Sequence, residues 1–184
     1  MSRGRILTTR RLRLEPLDRG HAGEMHRLWS DADVRRFLWD DRVISIGTAI
    51  DVLRTSESDF NARGFGLWGI ALVDAPPHVG FVGLRGGDCN GASELLYGLL
   101  RHWWGSGLAT EACRAVLDYA FGTLALPRVE AAADWPNVAS ARVMQRLGMR
   151  FVRRGVLNGL DTVFYEVLRD HWQAHGDSFV SPDR

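Results

Sequence analysis

Cysteine is scarce: Cys89 and Cys113 are the only two, and their spacing suits neither a metal nor a redox pair. A disulfide-stapled secreted fold is thereby set aside, and a reducing, cytoplasmic setting with two inert thiols is expected. Charge of one sign is lacking as well. The formal net charge is +1, so no broad basic face is available for direct binding of nucleic acid or of an anionic membrane. No apolar run approaches the length of a bilayer span, and the basic start MSRGRILTTRRLRLEPL lacks the apolar segment of a signal peptide. Internal repeats and low-complexity segments are missing too. What remains is 46% hydrophobic and 24% charged over 184 residues, enough apolar material for the core of one domain.

The segment RRLRLEPL alternates Leu12 and Leu14 with Arg11, Arg13 and Glu15, the period of a half-buried strand. Residues 20–39 predict two short helices broken near Ser30-Asp31, and residues 45–64 a third, capped by Ser45 and stopped by Gly64. Strand-like runs at 65–73, 78–86 and 93–100, separated by turn residues, predict a three-stranded antiparallel meander. A helix over 107–121, a strand over 128–135, a helix over 137–147 and a strand over 162–169 complete the chain. The expectation is one α/β (α+β) domain over 10–172, with flexible termini at 1–9 and 176–184.

Between strand 93–100 and helix 107–121 lies Trp103-Trp104-Gly105-Ser106-Gly107. The free N–H groups of a helix start carry partial positive charge and suit a phosphate. Gly105 and Gly107 would let such a phosphate approach the backbone. The same glycines would also serve a plain tight turn, and the loop alone does not choose. A Walker loop would need a lysine that this segment lacks, and Thr110 stands where a dinucleotide fingerprint needs Gly or Ala.

The stretch ELLYGLLRHWWGSGLATEACRAVLDYAF resembles the acetyl-coenzyme A motif of the GNAT N-acetyltransferase superfamily. It is most similar to the branch of RimJ- and RimL-type ribosomal-protein N-terminal acetyltransferases, which shows Trp-Gly-x-Gly-x-Ala-Thr-Glu-Ala where this chain has Trp104 to Ala112. The resemblance spans roughly residues 10–172 and implies a GNAT fold: a mixed, mostly antiparallel central sheet flanked by helices, with splayed central strands. It implies that backbone groups of Trp104, Gly105, Ser106, Gly107, Leu108, Ala109 and Thr110 cradle the coenzyme A pyrophosphate. Leu99, Leu100 and Arg101 would offer backbone partners to the pantetheine arm, with the N–H of Leu99 or Leu100 polarising the reacting carbonyl. Trp103 and Trp104 are expected to pack the loop against the sheet.

EAAADWPNVASARVMQRLGMRFV resembles the second motif of the family, in which Asp-x-x-Asn, here Asp134 and Asn137, leads into a helix. Asn137 can cap that helix and offer its amide to pantetheine. Many family members carry a tyrosine where this chain has Met144, and methionine cannot protonate a departing thiolate. Ser140 shares a helical face with Val143, Met144 and Leu147 and is the expected replacement; a first-turn serine bonding local backbone is the alternative. Arg142 and Arg146 lie on the outer face, where phosphate or solvent could meet them. Glu94 and Asp161 are candidate bases, each also readable as a structural carboxylate. His171 and His175 stand at metal-chelating spacing without a third ligand, so a surface helix end is expected there and no metal. Phe37 and Trp39 stand beside Asp40 and Asp41 in a region that often borders the acceptor channel in the family; they suit a cationic amine, and plain packing beside a solvated turn is the alternative.

Taken together, the resemblance implies an acyltransferase that uses acetyl-CoA and no metal. Its acceptor would be a protein N-terminal α-amine or a small-molecule amine, attacking the thioester directly. A coenzyme A-binding module without catalysis is the alternative that Met144 leaves open. Related enzymes are often dimers, so a homodimer is an implied assembly.

Overall fold

The computed structural model describes residues 5–73, 75–86, 92–173 and 179–180. Cys89, His175 and most of the turn before strand 93–100 lie outside the described residues.

The chain begins with β1 (Leu7–Thr8) and β2 (Leu12–Pro16), then α1 (Ala22–Ser30), α2 (Ala32–Arg35) and α3 (Ile46–Arg63). Asp31 separates α1 from α2 because its carboxylate accepts from the N–H groups of Asp33 and Val34, making it the cap of α2. Ser45 caps α3 by accepting from the N–H of Thr48 at 3.0 Å, and a left-handed Gly64 ends it. Next come the meander β3 (Leu67–Leu72), β4 (Ala75–Gly86) and β5 (Ser93–Leu99), and then α4 (Leu108–Gly122). The chain closes with β6 (Arg128–Asp134), α5 (Val138–Arg146), β7 (Arg150–Leu157), β8 (Leu160–Leu168) and β9 (Phe179–Val180).

These strands form one nine-stranded sheet in the order β7-β8-β6-β5-β4-β3-β2-β1-β9. Its pairs are antiparallel except β5 with β6, which run parallel. The sheet separates two cores. One lies under α4, where Val116, Leu117 and Ala120 meet Leu14, Trp68 and Leu95. The other lies under α1 and α3, where Met25, Trp29 and Leu53 meet Leu67 and Phe81. Leu67 and Trp68 thus face opposite cores, which explains why β3 reads as an unbroken apolar run rather than an alternation.

Two features depart from the expected outline. Leu7 and Thr8, assigned to a flexible start, pair with β2, and β9 pairs with them from the segment assigned to a flexible end. The second is β7, which no alternation predicts: Phe151, Val152 and Val156 are exposed among Arg150, Arg153 and Arg154. β7 exists because Asn158 and Gly159, both at positive φ, turn the chain into a hairpin with β8. The expected helix end around His171 is a short 3-10 turn, and the following Trp172 donates to Asp118 at 2.8 Å, anchoring this end on α4.

The pairing of β5 with β6 decides where function can sit. It is limited to Ser93 with Val129 and Glu94 with Glu130. Beyond that point β5 turns its remaining residues to β4 alone, and a gap opens through the sheet.

Candidate active site

A cavity of about 340 Å³ occupies the gap. Leu96 and Gly98 of β5 and Phe37 and Leu38 line it on the α1–α2 side, and Asp33 of α2 stands there as well. Tyr97 and Leu99 face Ala132 and Ala133 across the gap. At the other end stand the glycine junction, the start of α4 and the inner face of α5.

Local chemistry shapes the junction. Gly107 is the N-cap of α4, with φ +81°, and no side chain caps the helix. Gly105 has φ +75°. An L side chain disfavours this left-handed region, so both positions favour glycine for the backbone alone. The first amides of α4 are therefore left to whatever enters the cavity. The Thr110 hydroxyl, on the same turn and lining the cavity, is buried with no partner among the described residues. An uncapped helix start beside an orphaned buried hydroxyl fits an anionic, hydrogen-bonding ligand. Arg142 and Arg146 line the same end and can neutralise phosphate charge.

The loop is fixed by groups far away in sequence. Arg11 donates through Nε to Glu111 at 2.6 Å and through Nη1 to the Ser106 carbonyl at 3.0 Å, while Thr9 donates to Glu111 at 2.6 Å. Burial alone would push the Glu111 carboxyl up, but the hydrogen bonds from Thr9 and Arg11 together hold it below its ordinary value. Trp104 donates its indole N–H to the Leu99 carbonyl at 2.7 Å, and Trp103 packs on the core under α4, so both tryptophans hold the loop on the sheet.

Not every expected coenzyme residue reaches the cavity. Trp104, Gly105, Gly107, Leu108, Ala109, Thr110, Asn137, Ser140, Arg142 and Leu99 do. Ser106 does not: its hydroxyl donates to the Trp103 carbonyl, and its own carbonyl holds Arg11. Arg101 lies over the Trp104 ring at 4.6 Å instead. Leu100 is corrected as an oxyanion donor, because its N–H is spent on the Val79 carbonyl at 3.0 Å. In an antiparallel ladder the neighbouring residue then points its N–H the other way, so that of Leu99 faces the gap.

Ser140 and Asn137 meet as the motif implies. The Asn137 side chain accepts from the Ser140 N–H at 3.1 Å, which caps α5 and fixes its first turn. Met144 and Leu147 point inward and are buried. The Ser140 hydroxyl lies 2.7 Å from the Tyr97 hydroxyl, a contact that sequence reasoning missed. The quoted family motif contained this tyrosine, yet only the return of α5 over β5 brings it to Ser140.

Neither expected base borders the cavity. Glu94 sits at the joined end of β5 and β6 and accepts from Arg85 at 2.7 Å, its partner directly across β4. Asp161 is exposed on the β7–β8 hairpin, where Arg154 hydrogen-bonds it and holds its carboxyl below the ordinary range. A carboxylate so engaged is a weak proton acceptor. Asp33 stands on the cavity wall, and Asp134, outside that wall, has its carboxyl pushed up by burial and by nearby Asp40. Of the expected aromatic wall, Phe37 lines the cavity, whereas Trp39 packs edge-on against Trp29 and Asp41 pairs with Arg35. Cys113 is sealed in the α4 core, where burial pushes its thiol up.

A sheet splayed at one parallel pair, with an uncapped glycine junction at the gap, defines an acetyl-transfer fold, and comparison with known proteins agrees. The acetyltransferase (GNAT) domain model matches residues 11–150, and the chain belongs to that family of acyltransferases. An uncharacterized N-acetyltransferase, p20, of Bacillus licheniformis is 29% identical over 153 residues, which is 82% of this chain and 84% of that protein. A GNAT-family acetyltransferase of Bacillus anthracis has the same fold, with TM-score 0.76 at 20% identity over 90% of this chain and 99% of that one. So does RimL, the ribosomal L7/L12 alpha-N-protein acetyltransferase solved with coenzyme A, with TM-score 0.73 at 20% identity over 89% and 97%. Among the described residues, no helix is long and apolar enough to cross a membrane.

Proposed function

We propose that this enzyme transfers an acetyl group from acetyl-CoA to a primary amine, either a protein N-terminal α-amine or a small-molecule amine. The observation that carries the reading is the cavity itself. It passes through the sheet from a phosphate-ready helix start to a wall bearing Phe37 and Asp33. Donor and acceptor could therefore meet in the gap from opposite faces. The RimL structure, of the same fold, is named as an alpha-N-protein acetyltransferase and is bound to coenzyme A, which supports coenzyme A as the donor.

Acetyl-CoA would supply an activated thioester. The residues of this chain have three tasks around it. The α4 amides and Arg142 would hold the phosphates. The Leu99 N–H, directed into the gap, would donate to the oxygen that gains negative charge. Ser140 would offer its hydroxyl to the leaving sulfur. Cys113 is walled off and so is no acyl carrier, which favours direct attack by the amine.

An α-amine with a pKa near 8 is already about one-tenth neutral at pH 7, so a weak base suffices. Asp33 stands at the wall where such a base is needed, and a water relay would serve equally.

An amine-acceptor panel with mass detection tests the proposal. The expected product gains one acetyl group on a primary amine, with one thiol released per product. The chain contains no lysine, so acetylation of the enzyme on its own side chains cannot obscure the result. Absence of acetylated product across peptide N-termini and small amines alike would overturn it.

A further inference from the structure

Tyr97 is a polar side chain of β5 at the gap, hydrogen-bonded to the first turn of α5. It rises from β5 toward α5, lining the cavity. Its hydroxyl lies 2.7 Å from the Ser140 hydroxyl and 3.0 Å from the Ser140 carbonyl. Ser140 is thus held at three points, counting the Asn137 carboxamide on its N–H.

We infer that Tyr97 is a positioning residue for acetyl transfer, directing the Ser140 hydroxyl proton toward the sulfur end of the bound coenzyme. The reasoning is a count of protons. Tyr97 has one proton and two acceptors within reach. If it donates to the Ser140 carbonyl, the serine proton returns to the phenol oxygen, and both are consumed within the pair. If it donates to the serine oxygen, the serine proton is free to point into the cavity. An electron-rich sulfur selects the second arrangement. The phenol must keep its proton for this, and burial first, then neighbouring Cys113, push its titration well above the ordinary tyrosine value. Tyr97 itself transfers no proton in this scheme. Its part is to fix one rotamer of Ser140 and to polarise its O–H.

The inference rests on the coenzyme reading above, and coenzyme A with its free thiol is the probe. The thiol is titrated on the protein by the ultraviolet absorbance of the thiolate, with binding followed separately by thermal shift. A directed hydroxyl favours the thiolate, so the bound thiol should titrate below the free thiol. Tyr97→Phe keeps the ring and removes only the hydroxyl. It should raise the bound thiol pKa by about half a unit or more, as Ser140→Ala should, and the double variant should match Ser140→Ala. With an acceptor from the panel, Tyr97→Phe should lower kcat about tenfold and change the acetyl-CoA KM no more than a few-fold.

Tyr97→Phe that binds coenzyme A and titrates as the wild type overturns the inference, as does a double-variant shift equal to the sum of the singles. Failure of the wild type to bind coenzyme A overturns the coenzyme reading and this one with it. Should Tyr97→Phe not fold, an unchanged titration in Ser140→Ala overturns the inference by itself.

Discussion

Gly107 and Ser140 carry the sharpest consequences of single atoms. At φ +81°, a Cβ on Gly107 meets only an Arg11 nitrogen at 3.6 Å, so the obstacle to substitution is backbone strain rather than space. Gly107→Ala should cost about 1–2 kcal/mol of stability. Gly107→Val should cost more and add bulk beside the uncapped amides, removing the thermal shift given by acetyl-CoA. An undiminished shift in a folded Gly107→Val protein would refute the phosphate cradle. Ser140 has no structural load beyond its link to Tyr97, because its N–H, not its hydroxyl, takes part in the cap. Ser140→Ala should therefore lower turnover about tenfold to a hundredfold, the lower end of general-acid help, with a few-fold change in acetyl-CoA KM. Unchanged turnover with chemistry rate-limiting would leave water as the proton donor.

At the scale of elements, α4 is held at its start by the turn between β1 and β2, through Thr9 and Arg11, rather than by a cap of its own. Glu111 is the anchor: it accepts from Thr9 and from the Arg11 side chain, and Arg11 continues to the Ser106 carbonyl. Its folded-state pKa lies below the ordinary value, so the unfolded chain binds the proton more readily. The resulting stability is fully present above the unfolded carboxyl pKa of about 4.3 and is lost as pH falls through the lower folded value. Glu111→Gln should thus flatten part of the fall in melting temperature between about pH 5 and pH 3. Glu24, held low in the same way by hydrogen bonds from His78, is unaffected by that change and contributes to the fall that stays. A variant whose melting temperature falls with acid as steeply as the wild type would show that the tie contributes nothing. In α5 the cap is Asn137, and Asn137→Ala should cost about 1 kcal/mol while loosening the turn that presents Ser140.

The molecule as a whole is organised by a sheet that is continuous at one end of β5 and β6 and open at the other. A ligand lodged in that opening touches β5, α4 and α5 together, so binding and global stability should be coupled. Acetyl-CoA at a hundred times its Kd should stabilise the fold by about 2.7 kcal/mol. For a domain of this size that corresponds to a rise in melting temperature of about 5–10 °C. A larger shift with NAD or ATP would contradict the coenzyme assignment.

Much of this was legible in the sequence, because much of it is local. The meander, the caps Asp31 and Ser45, the glycine junction and the inward face of α5 each follow from periodicity or from the chemistry of a few adjacent residues. The Asn158-Gly159 pair was a local signal too, a strong hairpin turn, overlooked because the exposed strand after α5 shows no alternation. Other features had no local signal. Leu100 loses its oxyanion role because register places Val79 opposite it. Glu94 and Asp161 lose theirs because each meets an arginine on a neighbouring strand away from the cavity. Tyr97 reaches Ser140 across 43 residues, and Arg11 reaches Glu111 across 100. Residue type and spacing determine which groups can cap, turn or donate. Which groups meet is decided by strand register and by the splay of two strands, and these depend on the packing of the whole sheet.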